Sequence, residues 1–216
     1  MLAPSRAQAL ATLEAGQEEL DSLFGQLTDA ELSQPATIGP GEWAAKDIAF
    51  WEELALETID AWRAGRRPRV EDISGPAGTD RANADNQART APQSPAEIRS
   101  RAASAHQALL AALRSLSDAE WQAPAPYQTA TRASLGELLG GVLGAPDQPF
   151  GHTYAHLDDL GSYVQSRRGI TPHHPQSTAD NSTRRYRQEC PVVGMTSRQA
   201  ACWSASRVTH TSVCSS

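Results

Sequence analysis

Two histidines four residues apart, His152 and His156, are the pair in this chain best placed to do chemistry. Residues i and i+4 of a helix share a face, so two imidazoles can be aimed at one divalent ion inside a helical bundle. Two ligands leave such a site open, and a third from a facing helix gives the three-protein-ligand arrangement of catalytic zinc or nickel sites. A plainer reading stands beside it, in which the two are surface or interface histidines near a helix start. Asp158 and Asp159 lie about one turn beyond and read either as an oxygen ligand or imidazole partner, or as solvated helix-face charges. Tyr154 reads as a proton donor in a cleft or as a half-buried bundle tyrosine. His106, between Ala105 and Gln107, joins a site only if its helix face turns inward.

Other chemistries find little support. There is no phosphate-binding glycine loop and no nucleophile elbow. The basic cluster Arg63, Arg66, Arg67 and Arg69 sits in a strongly acidic region, so nucleic-acid binding is not expected. No run approaches the roughly eighteen apolar residues of a membrane span. The opening Met1-Leu2-Ala3-Pro4-Ser5-Arg6 has no hydrophobic signal core, which makes a cytoplasmic location the default expectation.

The 216 residues divide sharply near residue 170. Residues 1–170 hold all 19 leucines, with 23 acids against 14 Lys and Arg for a net charge of −9. Residues 171–216 hold no leucine, 14 Ser or Thr, a net charge of +3 and all three cysteines, Cys190, Cys202 and Cys214. The cysteines are odd in number and widely spaced, so no disulfide or metal role is assigned to them. We expect one domain over 1–170 and a disordered tail over 171–216. The abrupt change in residue usage suggests an out-of-frame extension of a gene ending near Gly169. A single lysine against 18 arginines fits a GC-rich bacterial genome.

Four helical patterns must position the histidines, and no strand is evident. The first runs from about Ser5 to Leu27, with Leu10, Leu13, Leu20, Leu23, Phe24 and Leu27 at three- and four-residue intervals. The second starts near Trp43, carries Ile48, Trp51, Ala55, Ile59 and Trp62 on one face, and stops at Gly65 and Pro68. Its tryptophans read as core and loop packing rather than a ligand cage. The third opens with Ser94 as cap, Pro95 in the first turn and Glu97 closing a capping box, and its face is Ile98, Ala102, Leu109, Leu113 and Leu116. The fourth begins near Ser134, breaks from Gly144 to Pro149 and resumes from Phe150 to Arg167. Amphipathic helices of this length need one another's apolar faces, so the fold class is all-α, an antiparallel up-down four-helix bundle. The polar stretch from Gly65 to Gln93 reads as a long crossover loop.

A weak internal repeat is also present. Leu27-Thr28-Asp29-Ala30-Glu31-Leu32 returns 89 residues later as Leu116-Ser117-Asp118-Ala119-Glu120-Trp121, each with capping-box spacing and each followed by a proline, Pro35 or Pro124. Two similar helical hairpins about a pseudo-twofold axis would produce it. Capping boxes are common enough to produce it by coincidence.

The string Leu27 to Leu32, then Gly39-Pro40-Gly41-Glu42-Trp43 and Lys46-Asp47-Ile48, resembles the DinB-like bundle proteins, in which a Trp-x-x-Lys-Asp segment opens the second helix. Ser134-Leu135-Gly136-Glu137-Leu138-Leu139 and Gly151-His152-Thr153-Tyr154-Ala155-His156 are similar to the family's fourth helix, and Thr-Tyr-x-His resembles the ClbS/DfsB branch. The resemblance covers roughly residues 5–168. It implies a small-molecule role: a metal-dependent hydrolase or thiol-dependent transferase acting on reactive or toxic electrophiles, with His152 and His156 as ligands to zinc or nickel. Homodimers are frequent in the family. It further implies a third histidine on the second helix, about eight residues after the Trp. That position is Trp51 here, or else four residues around the usual histidine are missing from Lys46 to Glu52. Another histidine, expected in the ClbS/DfsB pattern four residues after His156, is replaced by Leu160. A non-catalytic bundle that binds a ligand or dimerises, having lost its metal, is the alternative reading.

Overall fold

The computed structural model describes residues 4–39, 44–128, 134–145 and 148–169. Trp43 and the expected tail over 171–216 lie outside the described residues. Helix α1 (Arg6–Phe24) opens at a Ser5/Gln8 capping box and closes at Gly25. A one-turn helix α2 (Asp29–Leu32) follows. A 3-10 turn at Ala45–Asp47 leads into α3 (Phe50–Arg63), beyond which Gly65 takes a φ of 68° that disfavours other residues. Helix α5 (Pro95–Ser115) opens at the Ser94/Glu97 box read from the sequence. Then come α6 (Asp118–Gln122), α7 (Leu135–Val142) and α8 (Tyr154–Arg167). No strand forms among the described residues, and no helix there is long and apolar enough to cross a membrane.

The crossover between α3 and α5 differs from its expected form. Its middle folds into a helix, α4 (Gly75–Thr90). The buried positions of α4 are Asn83, Asn86 and Thr90, so no apolar stripe advertises it. Polar contacts hold it instead. The Asn86 and Gln87 amides donate to the Asp47 carboxylate at 3.4 and 3.5 Å, and Arg89 donates to Glu53 at 2.8 Å.

Side-chain contacts between helix ends give the chain direction. Arg6, at the start of α1, donates to the Leu113 and Arg114 carbonyls at the end of α5. Arg99, at the start of α5, donates to the Phe24 and Leu27 carbonyls at the end of α1. These helices are therefore antiparallel, and each guanidinium satisfies carbonyls that a helix terminus leaves orphaned. Helices α3 and α5 run parallel, with Glu53 beside Arg101 near their starts and Arg63 beside Ser115 at their ends. Gly136 at the start of α7 meets Trp121, whose indole donates to Pro4, while Tyr163 in α8 reaches the Glu31 carbonyl. The α7–α8 unit thus runs with α1. The bundle order is up, down, down, up, two antiparallel hairpins joined by the crossover that parallel α3 and α5 require.

The hairpins are related as the repeat suggests. Both boxes form, Thr28 with Glu31 and Ser117 with Glu120. Arg99 pairs with Asp29 at 3.2 Å and Arg6 pairs with Asp118 at 3.3 Å, a reciprocal cross-brace between the halves. Apolar burial is divided into two clusters. The larger gathers Leu13, Leu54, Ile59, Leu109, Leu113, Leu135, Leu139 and Phe150. The smaller gathers Leu20, Leu27, Leu32, Ile38, Ile48, Leu160 and Val164.

Candidate functional site

Where the break is expected between Gly144 and Pro149, the described flanks, Ala145 and Gln148, pair with each other and deliver His152. Ala145 and Gln148 exchange backbone hydrogen bonds at 2.9 and 3.2 Å, Gly151 N–H donates to Gln148, and His152 N–H returns to the Leu143 carbonyl at 2.8 Å. Phe150 takes a left-handed φ of 64°, an uncommon backbone state for a side-chain-bearing residue. Its fully buried ring secures the turn by stacking on Trp121, with centroids 5.6 Å apart and 24° between planes. A Cβ on Gly151 would lie 2.8 Å from Gln148, so only glycine fits there. Helix α8 therefore begins at Tyr154, after His152, and not at Phe150. His152 sits in the turn and His156 in the first turn of the helix.

The two imidazoles nevertheless meet. Their Nε2 atoms are 3.2 Å apart, and the rings stand edge to face with centroids 4.8 Å apart. Burial holds both below the ordinary 6.5 of histidine, His152 well below it, with the neighbouring His156 adding to the effect and the Asp159 carboxylate partly opposing it at His156. Both rings are consequently neutral near pH 7, and one Nε2–H can donate to the other Nε2. The Nδ1 of His156 is buried without a hydrogen-bond partner.

From α3, the Trp51 ring lies 6.1 Å from the His152 ring, tilted by 56°. Counted eight residues from Trp43, this is the position at which the resemblance implies a third histidine, unless four residues are missing from Lys46 to Glu52, and it presents an indole with no lone pair to offer a metal. Asp158 is exposed, and Asp159 accepts the Gly39 N–H at 2.8 Å, bracing the loop after α2. Tyr154 is half-buried against Gly16 of α1, with burial and the Glu19 and Glu18 charges raising its pKa. Among the described residues, no group of three or more His, Cys, Asp or Glu side chains stands close enough to hold one ion. A metal-bound histidine normally donates its second nitrogen to a carboxylate or carbonyl, and His156 Nδ1 finds neither. The three-ligand centre implied by the resemblance therefore does not fit these residues.

His106 does turn inward, but away from this pair. Its Nδ1 lies 2.9 Å from Glu52 Oε1, with only 4% and 9% of the two side chains exposed. An ionised carboxylate can only accept, so Nδ1 carries the hydrogen. The sequence held the signal for this burial: 106 is four residues after Ala102 and three before Leu109, on the apolar stripe of α5. No spacing along the chain marks its partner Glu52, which lies 54 residues away on another helix. The arginine cluster is largely occupied by acids, Arg67 with Glu71 and Asp72, Arg69 with Glu57, and Arg63 with Glu120.

No curated protein and no solved structure matches the chain. The DinB superfamily matches over residues 12–144, more than half the sequence, a span that includes α3 through α7 and ends before the turn that carries His152. The motifs at Leu27–Leu32 and Lys46–Ile48, the paired hairpins and this match agree, and the chain belongs to the DinB superfamily.

Proposed function

We propose that this protein is a ligand-binding DinB bundle without the three-histidine metal centre, and that it takes a small molecule at the His152–His156 pair. The observation that carries the reading is the pair itself, two imidazoles kept neutral with Nε2 atoms 3.2 Å apart and, among the described residues, no His, Cys, Asp or Glu grouped with them as a third ligand. Neutral imidazoles beside an indole suit a ligand with an apolar body and one polar group that exchanges hydrogen bonds with Nε2. The buried, unpartnered Nδ1 of His156 is a second polar atom for such a ligand to satisfy. The Gly151–His156 string supports a place near the ClbS/DfsB branch, with a reactive or toxic small molecule as the ligand class. The same reading puts the protein in a bacterial cytoplasm, with nucleic acid and membrane outside its partners.

One observation favours a second reading, a metal-dependent hydrolase or thiol-dependent transferase with His152 and His156 as the protein's ligands. Zinc–nitrogen bonds of about 2.0–2.1 Å at a near-tetrahedral angle separate two ligand nitrogens by roughly the distance seen here. Zinc and nickel titration of the full chain, beside His152→Ala and His156→Ala, decides between them. The ligand-binding reading expects no stoichiometric ion in the parent. One equivalent of zinc or nickel, lost in both variants, would establish the metal reading instead.

A further inference from the structure

Away from the histidine pair, the end of α2, the 3-10 turn and α4 border a cavity of about 180 Å³ lined by Ser33, Pro35, Ala44, Lys46, Asp47 and Gln87. We propose that this cavity is a binding site for a small monocarboxylic acid, whose carboxylate pairs with the Lys46 ammonium and whose apolar body lies against Pro35 and Ala44. None of its lining residues is His152, His156 or Trp51, so the inference goes beyond the reading of the histidine pair.

Each wall is fixed by contacts of its own. Beyond Ser33, which caps the end of α2, Ala36 takes a left-handed φ of 58°, a state rare for residues other than glycine. Ile38, buried in the smaller apolar cluster, and the Gly39 N–H donated to Asp159 at 2.8 Å hold that strained loop in place. In the 3-10 turn the Asp47 carboxylate accepts the Ala44 N–H at 3.1 Å, and the Asn86 and Gln87 amides reach the same carboxylate from α4. Asp47 is buried, and it ties two walls together with both oxygens occupied.

Lys46 is the charge in this lining that has no counterpart. It is the chain's single lysine and is half-buried, and among the described residues it has neither an ion pair nor a hydrogen bond. The arginines across the bundle contrast with it, Arg6 on Asp118, Arg89 and Arg101 on Glu53, and Arg167 on Glu31. A partly desolvated ammonium without an acceptor is costly, and an anion entering the cavity supplies one. Asp47 in the same wall sets the ligand's charge. One negative charge is balanced by Lys46, whereas a doubly charged phosphate would leave like charges facing each other at close range. The Ser33 hydroxyl is a second donor for a carboxylate oxygen. Pro35 and Ala44 make the rest of the lining apolar. A cavity of about 150 Å³ is enough for a benzene ring, so a short aliphatic or single-ring acid is of the right size.

The test is titration of the full-length protein with benzoate and with butyrate, followed by ligand NMR and by the carbon-13 signal that reductive methylation places on the one lysine without removing its charge. Saturable one-to-one binding that moves the Lys46 signal is expected. Lys46→Met, which keeps the length of the side chain and loses the charge, should weaken binding roughly 10-fold or more, the worth of one charge-assisted hydrogen bond. Arg66→Met, at an exposed arginine outside the cavity, and the His152→Ala, His156→Ala double variant should each leave the affinity within about twofold. Circular dichroism identifies which variants are folded, and the lysine signal reads the site in the unmutated chain. Absence of saturable binding, a Lys46 signal that does not move, or an unchanged affinity in folded Lys46→Met overturns the inference. Loss of benzoate binding in the histidine double variant assigns the acid to that pair and overturns it as well. Inorganic phosphate binding more tightly than benzoate overturns the choice of a monocarboxylate.

Discussion

Two pairs of side chains place histidine inside this bundle, and they differ in what faces the imidazole. His106 faces a carboxylate, that of Glu52, across the parallel α3 and α5. His152 faces a second imidazole, at the turn where the fourth helix is broken. A carboxylate commits the imidazole: it sets the tautomer, accepts the hydrogen and ties two helices together. An imidazole partner commits little, since either ring can donate and one nitrogen, His156 Nδ1, is left with nothing. The first pair has the properties of a structural brace. The second has the uncommitted polar atoms that a bound molecule needs.

The largest expected effect comes from removing what aims His152. Phe150→Ala deletes a buried ring and its stack on Trp121 while keeping a strained backbone, and should cost about 3–5 kcal/mol in urea unfolding. Histidine NMR resonances should shift for His152 and His156 while those of His106, carried in the middle of α5, stay put. Equal shifts at all three would mean the turn does not set the second pair independently.

Next in size is the brace. Glu52→Ala leaves a buried imidazole N–H without its acceptor and should lower unfolding free energy by about 3 kcal/mol. The double change Glu52→Leu with His106→Leu should recover most of that loss, because both polar groups then leave together. His156→Ala tests the other side of the comparison. It removes a partly buried ring whose hydrogen bond is to a neutral partner, so a loss of about 1 kcal/mol is expected. A loss as large as that of Glu52→Ala would make both pairs structural.

The same contrast explains what could be read from the residue string. Helix ends were legible because capping chemistry is local: Ser94 with Glu97, Thr28 with Glu31 and Ser117 with Glu120 all form as spaced. The apolar stripes were legible because they repeat at helical period, and the bundle follows from them. Helix α4 was not, since its contacts run through Asn86 and Gln87 to Asp47, and hydrogen bonds between helices leave no period. The meeting of His152 and His156 was legible in their spacing, although His152 reaches it from a turn outside the helix. That Glu52 turns to His106 while Trp51 turns to His152 depends on how α3 is rotated between two neighbours. That rotation is a tertiary property, invisible to spacing along one segment.

The most selective effect is a pH dependence. The folded state holds His152 and His156 below 6.5, whereas the unfolded chain titrates them at the ordinary value. As pH falls below 6.5 the unfolded state takes up protons first, so their stability contribution is complete above that pH and is lost below it. Each group can account for no more than about 1.4 kcal/mol per pH unit. Urea unfolding in chelator-treated buffer should therefore show stability declining between neutral pH and pH 5. The decline should flatten in the His152→Ala, His156→Ala double variant. A separate acid limb begins lower: Arg167 and then Thr28 hold the Glu31 carboxyl at about 2 instead of 4.5, so what it contributes is complete above 4.5 and disappears as pH falls towards 2. Glu31→Gln should shrink the lower limb, which the Ser94-bonded Glu97 and Ser117-bonded Glu120 carboxyls also feed, and leave the upper one. If the upper limb survives loss of both histidines, the pair is not held neutral by the fold, and the distinction from the carboxylate-bound His106 fails at its root.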